Sequence, residues 1–177
     1  LGLYMTGVKI GYASSTETSD RSYGAEKRIN SYNLLNLGLL GQDMKIVIVS
    51  TTWVAKSKPL RMEMKVESAG RIQQVVARFT AKNIDLEIDN TGSRSKKSLK
   101  LPSDAPVVDD AITAILTDGS EPGTIKSFYV LDPMTVSLVK NEVKLVGSRK
   151  LEWKGKTFDV TAVEVSEPRA TTTAFFS

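Results

Sequence analysis

Apolar and polar residues alternate with a period of two over most of this chain, the pattern of half-buried β-strands. Leu60, Met62, Met64 and Val66 point one way and Arg61, Glu63, Lys65 and Glu67 the other. A turn at Ala69-Gly70 then sets Met64 beside Val75, Met62 beside Ala77 and Leu60 beside Phe79. Turning near Lys82-Asn83 sets Phe79 against Leu86 and Arg78 opposite Glu87. A third hairpin across Asn90 to Ser95 brings Leu86 to Leu99 and Ile84 to Leu101, with Asp89 meeting Lys96 and Asp85 meeting Lys100. One register satisfies both faces, so the segment from Leu60 is expected to be a four-strand antiparallel meander.

Shorter alternating runs flank it. Gly2 to Met5 and Val8 to Ala13 read as a hairpin around Thr6-Gly7, and Tyr23 to Asn36 and Met44 to Val54 as strands separated by Leu40-Gly41-Gln42-Asp43. Past the meander, Val107, Val108, Ala111, Ile112, Ile115 and Leu116 recur at helical spacing. Asp104 as cap, Pro106 in the first turn, Asp109 and Asp110 at the positive end of the dipole and Gly119 beyond the last apolar residue predict a helix near residues 106–117. The two-residue period returns in Ile125 to Leu131, Val136 to Val146, Arg149 to Trp153, Phe158 to Val165 and Arg169 to Phe176.

The expected fold is mainly β: one single β-rich domain over residues 1–177, a strongly curved antiparallel sheet or half-barrel of about ten strands around one amphipathic helix. Ten strands at ~4.8 Å span roughly 48 Å, whereas a helix is only ~10 Å across. Whatever else covers the apolar face, whether the curl of the sheet, a partner or a lipophilic ligand, then defines the function. Met62, Met64, Phe79, Leu86, Leu99, Ile112 and Leu116 are the residues expected to line the space between sheet and helix. Core packing is their ordinary role; adaptable methionine beside an aromatic also suits an acyl chain.

Composition narrows the chemistry. The 177 residues include no cysteine and no histidine, which removes thiol nucleophiles, Cys or His zinc sites, imidazole acid/base catalysis and the Ser-His-Asp triad. Twenty-four basic and 20 acidic residues give a net charge of +4 spread along the chain, without the basic aromatic face of a nucleic-acid binder. The longest uncharged apolar run, Ile46 to Val49, is far shorter than the ~20 residues of a membrane-spanning helix. A chain that opens on Leu1 points to a processed product or an excised domain.

Several clusters invite a site reading and have a plainer one. Asp85, Glu87 and Asp89 share a strand face, but cations oppose them, so paired surface charge is expected rather than a metal. Asp109 and Asp110 lie about 100 degrees apart on a helix and cannot face each other. Glu142 and Glu152 have no flanking motif of a glycosidase. Arg94, Lys96, Lys97 and Lys100 read as an edge kept soluble, with an anionic partner as the alternative. Trp53 and Trp153 end strands and suit half-buried packing. No catalytic, cofactor or metal residues are assigned.

Gly7-Val8-Lys9-Ile10-Gly11-Tyr12, Leu39-Leu40-Gly41-Gln42 and Lys58-Pro59-Leu60 resemble the N-terminal all-β domain found ahead of the catalytic core in bacterial transglutaminase-like proteins. The likeness continues in Leu101-Pro102-Ser103-Asp104-Ala105-Pro106, Glu121-Pro122-Gly123, Asp132-Pro133 and Thr171-Thr172-Thr173-Ala174-Phe175. It implies a periplasmic or secreted module similar in shape to the half-barrels of lipoprotein carriers. The family's catalytic Cys, His and Asp belong to a separate core, and none can be placed on this chain. The expected function is a non-catalytic accessory or binding module of an exported bacterial protein that contacts a partner domain or protein through its sheet face or edge. The alternative is a carrier of an acyl chain.

Overall fold

The structure, a computed structural model, describes residues 2–5, 8–39, 42–153, 155–167 and 170–176. The turns expected at Thr6-Gly7 and Leu40-Gly41 lie outside them. Among the described residues the protein is mainly β, with thirteen strands and one α-helix. It folds as two compact units, Leu1–Leu101 with Asp132–Ser137, and Pro102–Leu131 with Leu138–Ser177.

The first unit is an antiparallel sheet whose eight strands follow chain order: β1 (Gly2–Met5), β2 (Val8–Ser19), β3 (Lys27–Leu39), β4 (Gln42–Ala55), β5 (Lys58–Ser68), β6 (Arg71–Phe79), β7 (Asn83–Asn90) and β8 (Ser93–Lys100). Three of its hairpins turn on two residues of positive φ, Lys56-Ser57, Ala69-Gly70 and Thr91-Gly92, the backbone that matches the twist of paired strands. Pro59 lacks a ladder donor and sits where the β4–β5 register shifts at Trp53/Val54. Met62, Met64, Val66, Val75, Ala77, Ile84 and Leu86 are buried in one continuous row across β5, β6 and β7.

The register expected through Ala69-Gly70 is the one found, with Met64 opposite Val75 and Met62 opposite Ala77. The next two hairpins are tighter than expected, and each pairing slips by two residues. Phe79 lies opposite Ile84, not Leu86, and Arg78 opposite Asp85, not Glu87. Likewise Ile84 meets Leu99, Leu86 meets Lys97, Asp85 meets Ser98 and Asp89 meets Arg94. The cause is turn chemistry. Thr80 closes the first hairpin by donating its backbone N–H and hydroxyl to the Asn83 carbonyl, each at 2.9 Å. Thr91-Gly92 closes the second in two residues. A slip of two keeps every side chain on its face, so the apolar pattern is indifferent to it.

The second unit holds a five-stranded mixed sheet in the order β13-β12-β11-β10-β9. Its strands are β9 (Val107–Val108), β10 (Ile125–Asp132), β11 (Ser137–Trp153), β12 (Lys156–Glu167) and β13 (Ala170–Phe176), and its helix α1 is Ala111–Thr117. Two sheets thus stand where one of about ten strands was expected. The antiparallel run stops because β9 pairs parallel to β10, which requires a crossover, and α1 lies in it.

The helix begins later than residue 106. The cap is Asp110, whose carboxylate accepts the Thr113 N–H at 2.7 Å, rather than Asp104, which pairs with Lys140 at 2.7 Å. Val107 and Val108, both β-branched, stay extended, and the Pro106 carbonyl accepts from Tyr129 N–H. Ala111 and Ile115 pack with Val108, Phe128, Val143, Leu145, Val163 and Val165 into this unit's core. Strand β11 runs unbroken where two strands were expected, through an irregularity between Leu145 and Gly147. Gly147 has φ of +97°, and a Cβ there would fall 2.9 Å from the Pro122 ring, so a side chain would be strained on both counts.

Candidate binding surfaces

The residues expected to line one apolar space fall in both units. Met62, Met64 and Leu86 are buried, and Phe79 and Leu99 half-buried, in the first sheet. Ile112 and Leu116 lie half-buried against the core of the second unit. Within the first unit an open cleft of about 610 Å³ lies one step along the buried row, lined by Val66, Arg71, Ile72, Gln73, Asn90 and Met134 among others. Met62 and Met64 do not line it. The 132–137 turn forms one wall, tied by Gln73 Nε2 donating to the Pro133 carbonyl and Lys97 Nζ to the Val136 carbonyl, both at 3.0 Å.

The opposite face of this sheet carries aromatic residues and arginine. In register, Arg28, Trp53, Arg61 and Arg78 cross β3, β4, β5 and β6 in one lateral row. Each guanidinium has a carboxylate: Asp20 for Arg28 at 3.3 Å, Glu63 for Arg61 at 2.7 Å and Glu87 for Arg78 at 2.9 Å. Asp20 is held below the usual carboxylate range first by the Ser22 backbone N–H and hydroxyl, then by Arg28. The Trp53 indole N–H, buried beside it, adds to this field from outside hydrogen-bond geometry.

Tyr23 stands above this row. Its backbone is left-handed, with φ of 57°, uncommon for a bulky residue. The residue is 59% exposed although its ring meets Trp53 edge-on at 5.1 Å and lies 4.7 Å from the Arg61 guanidinium carbon. Toward the other end of the same face Tyr12 stacks on Tyr32 at 5.6 Å, with Val49 exposed opposite Tyr32. Sequence reading placed Trp53 as packing and Tyr23 at the start of a strand, whereas Tyr23 lies in the Ser22–Gly24 3-10 turn and the strand begins only at Lys27. Only the fold of the Asp20–Ala25 loop over β4 and β5 brings the two together.

Asp85, Glu87 and Asp89 share the row of polar positions on β7, each with its own partner. Ser98 donates to Asp85 at 2.8 Å, Arg78 reaches Glu87 and Arg94 reaches Asp89 at 3.0 Å. Arg78 holds Glu87 below its usual value, and the Gly92 N–H, followed by Arg94, does the same for Asp89. In the second unit Lys140 holds Asp104 down and Lys126 holds Asp118 down. Glu142 and Glu152 lie ten residues apart on β11, and the Trp153 side chain lies outside the described residues.

The two sheets end differently. Strand β8 is the last of its sheet, exposed at every residue but Leu99, with four cations in eight residues. Strand β13 ends the other sheet with seven residues and no charge. No described helix is long and apolar enough to cross a membrane. Compared with known proteins, the chain matches no family model, no curated protein and no solved structure.

Proposed function

We propose that this protein is a non-catalytic accessory module of an exported bacterial protein, periplasmic or secreted, that contacts a partner domain or protein through its first sheet. The observation that carries the reading is Tyr23, held in left-handed backbone and largely exposed above Trp53 and Arg61. Tyrosine, tryptophan and arginine are the residues that dominate binding energy at protein interfaces, and unusual backbone persists where its surroundings hold it for a purpose. The absence of both cysteine and histidine supports a non-catalytic role. The export and the adjacent catalytic domain rest on the resemblance to the domain ahead of transglutaminase-like cores.

The test is photo-crosslinking in the native host from a benzophenone amino acid at Tyr23 and at Val49, with the exposed Lys156 of β12 as control. One discrete adduct shared by positions 23 and 49 and absent from 156 is expected. No adduct, or the same adducts from all three, overturns the reading.

The cleft beside Met134 favours a second reading, a carrier of an amphiphile. Its volume lies in the range of small-molecule sites, and Val66 and Met134 offer apolar contact beside the Arg71 cation. Native mass spectrometry of gently extracted protein is expected, on this reading, to show a bound acyl species that Met134→Asp removes. Bare protein only would retire it.

A further inference from the structure

We infer that the open edge of β8 is a docking site for an extended acidic peptide, which adds to the first sheet as a ninth, antiparallel strand. The inference rests on the binding-module reading and names the edge and the chemistry of one partner.

The backbone supplies the first part. The two-residue turn at Thr91-Gly92 makes Asn90 and Ser93 the closing pair of the β7–β8 hairpin. Hydrogen-bonded and non-bonded pairs then alternate, so the N–H and C=O groups of Arg94, Lys96, Ser98 and Lys100 point away from β7. Among the described residues no other strand pairs with that side. A row of outward donors and acceptors is what a peptide uses in strand addition, and pockets for alternate side chains give the specificity.

Charge supplies the second part. The four residues with open backbone groups include three of the strand's four cations. Their side chains lie on the face of Asp85, Glu87 and Asp89. Those carboxylates use only part of the charge. Arg94 pairs with Asp89 while its side chain stays 87% exposed, Lys96 reaches Glu87 only at 4.0 Å, and Lys100 has no ion pair among the described residues. Two shallow clefts, of about 520 and 380 Å³, run along β8, one beside Val76, Ile88 and Lys96 and the other beside Arg78, Leu86 and Lys97. Glutamate or aspartate at every second position of an added strand would lie next to Arg94, Lys96 and Lys100. Residues between them would lie next to Ser95, Lys97 and Leu99.

Lysine on an edge also discourages pairing between identical chains. The two roles are compatible, because the same charge that repels a second copy of β8 attracts a strand of opposite sign.

The test uses the whole chain and a fluorescent, end-blocked eight-residue peptide that alternates glutamate with valine, read by anisotropy. Two control peptides alternate lysine with valine or carry N-methyl groups on the edge-facing amides. The acidic peptide is expected to bind in the micromolar range and weaken with salt, and both controls to bind at least about tenfold more weakly. Ser98→Pro removes an outward N–H and no β7–β8 ladder bond, so it is expected to abolish binding while the thermal melt stays cooperative. The double variant Lys96→Glu, Lys100→Glu is expected to exchange the preference to the basic peptide. Equal binding of acidic and basic peptides, or undiminished binding to the Ser98→Pro chain, overturns the inference, as does a failure of the acidic peptide to bind. A crosslink from Tyr23 that persists in the Ser98→Pro chain shows that the wider reading stands when this one falls.

Discussion

The edges of the two sheets solve one problem in opposite ways. Strand β8 carries Arg94, Lys96, Lys97 and Lys100, and one of them, Lys97, sits in the otherwise apolar row opposite Leu86. Strand β13 reads Ala-Thr-Thr-Thr-Ala-Phe-Phe and carries no charge. An inward-pointing lysine on an edge penalises any second sheet that tries to pair there, whereas a neutral run of threonine and phenylalanine imposes no such penalty. The interiors differ as well. The core of the second unit is closed by a short capped helix, with Ile115 and Val143 fully buried, while the first unit has no α-helix among its described residues and buries a lateral row of one sheet face. Sheet protection in this protein is therefore local, written strand by strand.

Core substitutions would test that difference most strongly. Ile84→Ala in the first unit and Ile115→Ala in the second remove side chains of 0% exposure, so each is expected to cost about 2–5 kcal/mol. Urea unfolding followed by hydrogen exchange should show the larger loss of protection in the unit that carries the change. Asp110→Ala removes the helix cap and is expected to cost about 1 kcal/mol, with exchange rising at Ala111–Thr117 while β5 to β7 keep their protection.

At the edges the expected stability changes are smaller, about 0.5 kcal/mol or less for an exposed site. Thr173→Lys should suppress any concentration-dependent association that light scattering detects, and Lys97→Val should promote it. The reverse order would show that charge is not what governs these edges.

The smallest effect is that of pH near neutrality. With no histidine in the chain, thermal stability is expected to stay flat between about pH 6 and 8. Asp20, Glu87, Asp89, Asp104 and Asp118 all have folded pKa values below their ordinary ones. Each therefore contributes stability that is present above its unfolded value and is lost as pH falls through the folded one. A melting temperature that starts to decline only below about pH 5 would agree, and a drop between pH 6 and 8 would not.

Particular residues show where sequence was enough. The alternation from Leu60 to Glu67 placed Met62, Met64 and Val66 on the buried face because a side chain can reach only one side of a pleated strand. Mainly β architecture followed from the same period, and the one helix among the described residues from the switch to helical spacing at Ala111, Ile112, Ile115 and Leu116. The absence of cysteine and histidine removed whole classes of chemistry without any coordinates.

Tertiary structure alone decided three things. Register along β7 and β8 was open to shifts of two residues that the pattern cannot sense, and the tight turns after Thr80 and Asn90 chose among them. The division into two sheets followed from Val107-Val108 joining β10 in parallel, a pairing between segments separated by α1 that no local period encodes. The meeting of Tyr23, Trp53 and Arg61 required a loop and two strands to converge. Period fixes which face a residue takes, but its neighbours depend on where the chain turns and on contacts remote in sequence, so the exposed surfaces emerge only in the folded molecule.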